Sequence, residues 1–333
     1  MTTGRLARRV ATAAAVFVAL LSPAVAYADS PGPSDYRTVV TSIEPAVSGV
    51  RVAIVGGDSF VELRVDAGVS VEVPGYSGGP YLRFAADGTV EENRASPTYY
   101  ANASRYGGAV PAGAADAAPR WVKVADNGRF AWHDHRTHWM SAARPPGKHP
   151  GDVILDAELP LTVDGLAVLV HVQSTWLLPP SRLPPLGGLA GGIVLAAIAI
   201  RLRVPLAVVG AVALLALAVG LIGYRSVPAE TGPPFTLWLL PLLSATVAAG
   251  AMAARGRLSD WNRQAATVLA ATPLVVWGWT RQAAMWRALI PTDAPMWLDR
   301  AVVGSSFTLA ACCGLWMLVA AFDFGARDPQ LRR

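Results

Sequence analysis

The chain has 333 residues, of which 53% are hydrophobic and only 15% are charged, and its formal net charge is +5. This balance is typical of a membrane protein and argues against two ordinary soluble domains. Residues 29–185 hold 13 basic and 17 acidic side chains, a net charge of −4, so the positive excess lies elsewhere. That distribution disfavours a nucleic-acid partner. No Walker A, dinucleotide-binding, HExxH or EF-hand motif is present, so no nucleotide partner is expected.

The N-terminal segment predicts a secretory signal peptide over residues 1–28. A basic start is followed by an apolar run over 10–21 and by the small-residue pattern Ala26-Tyr27-Ala28, which is the order of a cleavable signal. An exported domain over 29–176 is therefore expected. Both cysteines, Cys312-Cys313, lie in the last apolar run, so the exported domain has no disulfide and must depend on a packed core.

Residues 29–176 predict an all-β domain, an antiparallel sandwich that is Ig-like or cupredoxin-like. Short segments of alternating polar and β-branched residues are separated by turn residues. The predicted strands are 49–55, 60–65, 69–73, 80–84, 89–91, 121–124, 129–132, 153–163 and 166–176. Asp87-Gly88, Asp126-Asn127-Gly128 and Asp164-Gly165 carry the residues that tight hairpins need, so each turn is expected to join two paired strands.

The alternating pattern stops between residues 92 and 119. This segment is rich in Ala, Gly, Pro and Asn, and it contains Tyr99, Tyr100 and Tyr106. A loop of this length in a compact domain is usually functional or disordered. The tyrosines favour an ordered loop that lies on the sandwich.

Residues 177–333 predict a helical membrane domain. A Pro-rich hinge over 177–185 leads into apolar stretches that approach the roughly 20 residues a bilayer requires. The five predicted spans are 186–200, 204–222, 235–254, 266–286 and 301–322, followed by a tail over 323–333. Arginines concentrate after the first, third and fifth spans, and the positive-inside rule makes that side cytoplasmic. A multi-pass plasma-membrane protein is therefore expected, with its β domain outside and its C-terminus in the cytoplasm.

The segment Trp132–Met140 holds three of the five histidines. On a strand, His133 and His135 share one face while Trp132 occupies the other, and this His-x-His spacing allows two imidazoles to reach one metal ion. His138 joins them only if the chain turns at Arg136-Thr137.

The donor types favour copper ahead of zinc, because the thioether of Met140 is soft. The predicted ligands are His133, His135, His138 and Met140, and a site of this kind indicates metal handling in the envelope. His149 and His171 are reserve ligands that no spacing argument supports.

A metal-free protein-interaction module is the alternative hypothesis. In this interpretation Asp134 and Arg136 form a buried pair, and the segment shapes an aromatic surface for another envelope protein. The candidate surface residues are Trp132, Asp134, Arg136, Trp139, Tyr99 and Tyr100. Imidazole nitrogens that converge on one point would favour the metal hypothesis. Rings that diverge, with the Asp134–Arg136 pair filling the space between them, would rule it out.

Catalysis is the least favoured hypothesis, and no catalytic residue is assigned. In that hypothesis His135 or His138 would act as general base, with Asp134 orienting it. Gly75-Tyr76-Ser77-Gly78-Gly79 formally matches the nucleophile elbow of serine hydrolases, but that motif needs a helix after it. The following residues 80–84 read as extended, so Ser77 is not expected to be a nucleophile.

Three segments together resemble a group of largely uncharacterised actinobacterial envelope proteins. The segments are Val73–Arg83, Ser96–Tyr100 and Trp132–Met140, followed by several membrane spans. The resemblance implies an exported domain above transmembrane helices, and it implies no particular reaction. It also leads us to expect a glutamate where Gly79 stands.

Overall fold

The computed structural model describes residues 30–327. The predicted signal peptide and the tail from residue 328 onward lie outside the described residues. The described chain consists of an antiparallel β domain followed by a group of long apolar helices. This confirms the expected combination of an all-β domain with a helical membrane part.

The β domain contains ten strands in two sheets. They are β1 (Tyr36–Glu44), β2 (Val50–Val55), β3 (Phe60–Val65), β4 (Val71–Pro74), β5 (Pro80–Phe84), β6 (Val90–Asn93), β7 (Trp121–Ala125), β8 (Arg129–His133), β9 (Val153–Val163) and β10 (Leu166–Trp176). One sheet has the order β1-β10-β9-β4-β5-β6-β7, and the other has the order β2-β3-β8. Alternating side chains of both sheets, such as Leu63, Val71 and Leu159, meet in one core.

Every strand predicted from the sequence is present within two residues of its expected ends. The alternation therefore located these strands, because one face of each packs on the core. β1 was not predicted. It pairs with β10, from Tyr36 opposite Trp176 to Glu44 opposite Leu169, and closes one edge of the larger sheet.

The hairpin predicted at Asp126-Asn127-Gly128 is wrong. The turn forms, with Gly128 at φ 66°, but β7 pairs with β6 in the larger sheet while β8 pairs with β3 in the smaller one. Turn residues fix a local chain reversal and not the strand that the next segment joins. The hairpins at Asp87-Gly88 and Asp164-Gly165 are confirmed.

Two short helices belong to the β domain. α1 (Pro97–Ala101) begins after Ser96, whose hydroxyl accepts a hydrogen bond from Thr98 N, and lies in the segment expected to be an ordered loop. A 3₁₀ helix covers His135–Thr137. The expected strand face shared by His133 and His135 is therefore wrong, because β8 ends at His133 and Asp134 caps the 3₁₀ helix that contains His135. Gly75-Tyr76-Ser77-Gly78-Gly79 turns between β4 and β5 with a strand after it, so the hydrolase elbow is absent from this turn.

The C-terminal half is helical. Its helices are α2 (Leu183–Arg201), α3 (Pro205–Arg225), α4 (Thr236–Ala253), α5 (Asp260–Thr280), α6 (Gln282–Trp286) and α7 (Met296–Arg327). Pro184 and Pro185 of the predicted hinge lie in the first turn of α2, where a missing N–H has no cost. Small residues allow close packing, since a Cβ on Gly188 would meet the backbone of Ala301.

Four helices of the described chain are long and apolar enough to cross a membrane: α2, α3, α4 and the Met296–Ala320 part of α7. The region predicted as a span over 266–286 forms α5 and α6 instead of one uninterrupted helix. α5 is packed against α4 and α7, but its polar first turns lower its mean hydropathy. A total of five spans therefore stays a prediction.

The β domain is attached to the helices by direct contacts. Arg287, just after α6, pairs with Asp35 at 2.5 Å, and Leu289 exchanges backbone hydrogen bonds of 3.0 and 2.9 Å with Ser34. The Arg281 guanidinium pairs with Asp299 at 2.8 Å between α5 and α7. The contacts of Asp35 and Ser34 hold one end of the sandwich against the helical part, while the Arg281–Asp299 pair joins helical segments to each other.

Candidate metal centre

The candidate site forms where β8 ends. Asp134 caps the 3₁₀ helix that follows, because its carboxylate accepts a hydrogen bond of 3.0 Å from Arg136 N. Thr137 donates to Asp134 O and Asp58 O, and its own carbonyl accepts from Thr38 at 2.6 Å. The turn required at Arg136-Thr137 is therefore present, and it returns His138 toward the end of β8.

The three histidines converge. The ring centroids of His133 and His138 are 4.8 Å apart, those of His133 and His135 are 5.0 Å apart, and those of His135 and His138 are 5.5 Å apart. One ring nitrogen from each residue lies within 4.8 Å of the others, and the group can hold a metal ion. This is the arrangement that the metal hypothesis required.

Each imidazole uses one nitrogen to bind a backbone carbonyl. His133 Nδ1 contacts Asn102 O at 3.2 Å, His135 Nε2 contacts Ser104 O at 2.9 Å, and His138 Nδ1 contacts Trp139 O at 3.1 Å. A carbonyl only accepts, so these ring nitrogens must donate, and the other nitrogen of each neutral ring holds a lone pair. Metal-bound histidines are commonly oriented by such second contacts.

Two of the remaining nitrogens are buried without a partner. His133 Nε2 and His138 Nε2 lack a hydrogen bond in the described structure, and their residues are 3% and 1% exposed. Buried polar atoms are nearly always satisfied, so two unsatisfied nitrogens beside each other require an explanation. A metal ion that accepts the lone pairs of both nitrogens would explain why neither has a partner within the protein.

The surroundings keep the imidazoles neutral. Burial lowers the pKa of His133 to about 3, with a further contribution from neighbouring His138. Burial and the nearby Arg105 guanidinium lower the pKa of His138 to about 4. The pKa of His135 is also lowered by burial. All three rings are therefore unprotonated at neutral pH, which metal ligation requires.

The fit to an ion requires a small movement. Nitrogens bound at about 2.0–2.1 Å to a tetrahedral ion are about 3.3 Å apart, whereas the largest separation here is 4.8 Å. The rings must therefore approach one another by up to about 1.5 Å when an ion binds. The donor set consists of three imidazoles and contains no carboxylate.

Asp134 and Arg136 form the buried pair that the alternative hypothesis predicted. Arg136 donates to both carboxylate oxygens at 2.8 and 2.7 Å, and Trp132 Nε1 donates at 2.9 Å. The carboxylate is thus satisfied by these partners, and no histidine among the described residues is oriented by it. Trp132 and Asp134 are 3% and 0% exposed, so neither contributes to an exposed surface.

The other predicted site residues lie around the cluster. Met140 follows His138 at the surface and is 38% exposed. Trp139 is partly buried and donates through Nε1 to Ala143 O at 2.8 Å. Tyr99 and Tyr100 pack edge to face, with ring centroids 5.4 Å apart.

The two reserve histidines lie outside the cluster. His149 is exposed and 3.8 Å from Asp152. His171 is partly buried and 3.7 Å from Glu158. Neither belongs to the group of ring nitrogens that converges.

Several residues that support the site were not predicted from the sequence. Tyr76 stacks on His135 with centroids 5.7 Å apart, and its hydroxyl accepts from His135 N at 2.8 Å. The same hydroxyl donates to the side chain of Asn102. Arg105 pairs with buried Asp58 at 2.5 Å close to the three rings. Asn102 and Arg105 lie in the segment over residues 92–119 that was expected to be an ordered loop, but no sequence signal identified either residue.

No protein-family model, curated protein or solved structure matches this chain. The geometry of the site and the layout of the chain therefore carry the functional argument.

Proposed function

We propose that this is a plasma-membrane protein whose extracytoplasmic β domain binds one copper ion through His133, His135 and His138 and takes part in metal handling in the cell envelope. The observation that carries the proposal is the pair of buried, unpartnered nitrogens, His133 Nε2 and His138 Nε2, beside a third neutral imidazole. No other interaction in the described residues uses these two atoms.

The charge of the site favours Cu(I) over Zn²⁺. The three ligands are neutral, the Arg105 guanidinium is nearby, and no carboxylate joins the donor set. Burying a divalent ion without a compensating anion is costly, and a monovalent ion lowers that cost. If the ion is Cu(II), copper is also favoured, because imidazole sites bind Cu(II) more tightly than the other divalent first-row metals.

Met140 is proposed as an additional ligand that completes the site on the solvent side. Its thioether suits Cu(I), and its 38% exposure leaves it free to move. A surface thioether that follows His138 closely in sequence would also provide an entry point for the ion.

The proposed orientation rests on the sequence. The signal-like residues 1–28 and the arginines after alternate apolar segments favour an exported β domain and a cytoplasmic C-terminus. The helices that can cross a membrane follow the β domain directly. This order fits a protein that senses, carries or donates metal at the outer face of the plasma membrane.

Metal analysis of the full chain in detergent tests the proposal. The protein is loaded with Cu(I) under reducing conditions or with Zn²⁺, passed over a desalting column, and analysed for bound metal. We expect about one Cu(I) per chain, which the His133→Ala/His135→Ala double variant loses. His149→Ala is the matched control and should keep the metal.

Equal, substoichiometric copper and zinc in the parent and in both variants would contradict the proposal. In that case the metal-free interaction module would be the better explanation, with the histidines shaping the loop around Tyr76. If the parent protein retains one zinc ion and no Cu(I), the metal site is supported but the assignment of copper is wrong.

A further inference from the structure

A second candidate site lies where the β domain meets the helices. A cleft of about 850 Å³ is bounded on the β side by Tyr106, Trp139 and the turn over residues 141–150. Trp286 and Arg287, at the end of α6, bound it on the helical side. The cleft is separate from the three imidazoles, although Ser59 and Arg105 lie on the wall between them.

The cleft is positively charged. Arg105, Arg144, Lys148 and Arg287 line it, and Asp35 is the carboxylate among the lining residues. Asp35 is paired with Arg287, and Arg105 is held by Asp58. Arg144 and Lys148 are exposed and have no ion-pair partner in the part of the chain that the structure describes, so two cations face the cleft uncompensated.

A mostly apolar groove, with Arg182 among its lining residues, continues from this cleft along α2. Pro179, Pro180 and Trp286 line both the cleft and a neighbouring cavity of about 380 Å³. Leu186 in the first turns of α2 lines that cavity and is 50% exposed. Because α2 is long and apolar enough to cross a membrane, the groove runs from the cleft toward the region where lipid chains would lie.

We propose that the cleft binds the phosphate headgroup of an anionic membrane lipid, whose acyl chains occupy the groove beside α2. Arginine and lysine are the side chains that recognise phosphate oxygens. Trp139, Trp176 and Trp286 line the cleft, and tryptophan is enriched at the level of lipid headgroups. A soluble phosphate would use the cations alone and leave the groove without a role.

The site would hold the β domain at a fixed height above the bilayer. The lipid phosphate would bridge the 141–150 turn, which carries Arg144 and Lys148, to the junction at Trp286 and Arg287. This proposal is independent of the metal, since it uses none of the three histidines.

Lipid binding to the delipidated full chain in an uncharged detergent tests the proposal. Three ligands are titrated separately: dihexanoyl phosphatidylglycerol, dihexanoyl phosphatidylcholine and sodium phosphate. Binding is measured by calorimetry and by the fluorescence of the tryptophans. We expect the anionic lipid to bind most tightly and its affinity to fall with added salt, because the contact is between exposed charges.

The Arg144→Gln/Lys148→Gln variant should weaken binding of the anionic lipid roughly tenfold or more, as expected for two cations near a membrane surface. Both side chains are exposed, so folding should be unaffected. Arg120→Gln/Lys123→Gln removes the same charge near the opposite edge of the large sheet, at β7, and should leave lipid affinity unchanged. Both variants should bind Cu(I) like the parent, which separates this proposal from the metal site.

Equal affinities for the anionic and zwitterionic lipids would overturn the proposal. So would equal lipid affinities in the two double variants. Sodium phosphate that binds as tightly as the anionic lipid and displaces it would assign the cleft to a free phosphate and reject the lipid.

Discussion

The segment Trp132–Met140 contains two groups of side chains that differ in whether their polar atoms have hydrogen-bond partners. Trp132, Asp134 and Arg136 form a closed network in which the carboxylate accepts hydrogen bonds from both partners. The histidines of the cluster leave Nε2 atoms of two rings without a partner. Residues that alternate along one segment thus form a satisfied structural network and an open group of ligands.

The difference separates a role in stability from a role in binding. A closed network loses much when one member is removed, because a buried charge remains without its partner. In the open group each imidazole makes one hydrogen bond to a backbone carbonyl, so the loss of one ring should affect metal binding more than stability. The segment should therefore show two distinct responses to mutation.

The largest effect is expected from Asp134→Ala. It leaves the Arg136 guanidinium, 16% exposed in its side chain, without its carboxylate, and we expect the free energy of unfolding to fall by about 3–5 kcal/mol. Chemical denaturation of the β domain followed by tryptophan fluorescence measures this. Asp126→Ala, at a side chain that is 77% exposed, is the matched control. A loss no larger than that of the control would show that the network is not structural.

Acid should destabilise the metal-free protein through the histidines. The pKa values of His133 and His138 are lowered to about 3 and about 4 in the folded state, while unfolded histidines titrate near pH 6.5. The unfolded state therefore binds more protons below about pH 6.5, and stability should fall by about 3 kcal/mol or more between pH 6.5 and pH 4.

The closed network responds in a lower pH range. Burial alone would raise the pKa of Asp134, but the hydrogen bonds and charge of Arg136 lower it, so its contribution is lost only below about pH 4. In His133→Leu/His138→Leu the decline between pH 6.5 and pH 4 should become much shallower. Identical pH profiles in parent and variant would contradict the neutral state of the two rings.

Tyr76→Phe should give an intermediate effect because the Tyr76 ring stacks on His135 and lies 5.1 Å from the Arg136 guanidinium carbon, and so contacts both groups. The variant keeps the ring that stacks on His135 but removes the hydroxyl that accepts from His135 N. We expect a loss of about 1–1.5 kcal/mol in stability and a loss of about tenfold in Cu(I) affinity. Tyr106→Phe, at a residue that is 55% exposed, is the control, and equal metal affinities in the two variants would remove Tyr76 from the site.

The smallest effect is expected from His149→Ala. The side chain is 85% exposed and lies outside the cluster, so stability should change by less than about 0.5 kcal/mol. Cu(I) stoichiometry should equal that of the parent. A lost metal ion in this variant would show that binding depends on surface histidines and not on the buried group.

Much of the fold could be predicted from the sequence because its signals are local. β9 and β10 alternate in polarity around Asp164-Gly165, whose φ angles of 47° and 82° fit the expected hairpin turn. The long apolar helices follow from composition. By contrast, β1 pairs with β10, far away in sequence, and β7 and β8 separate into different sheets, so those outcomes depend on tertiary packing.

The site was predicted in part for the same reason. The spacing of His133, His135 and His138 identified the candidate ligands, and the turn that unites them formed where it was needed. Two carbonyls that orient the rings, those of Asn102 and Ser104, lie in the segment over residues 92–119. This segment was expected to be an ordered loop, but the sequence does not indicate which of its carbonyls face the histidines. Burial and the position of Arg105, which set the pKa values, exist only in the folded chain.

Nitrogen NMR of the full chain labelled with ¹⁵N-histidine tests whether the three imidazoles are neutral and bind Cu(I). At pH 7 without metal, His133 and His138 should be neutral with the proton on Nδ1, and His135 should be neutral with the proton on Nε2. Addition of one equivalent of Cu(I) should shift the unprotonated nitrogen of these three rings and leave His149 and His171 unchanged. Protonated rings or the opposite tautomers at pH 7 would contradict the neutral, carbonyl-bound state of the three imidazoles. Signals of all five histidines that do not change with Cu(I) would contradict the metal site.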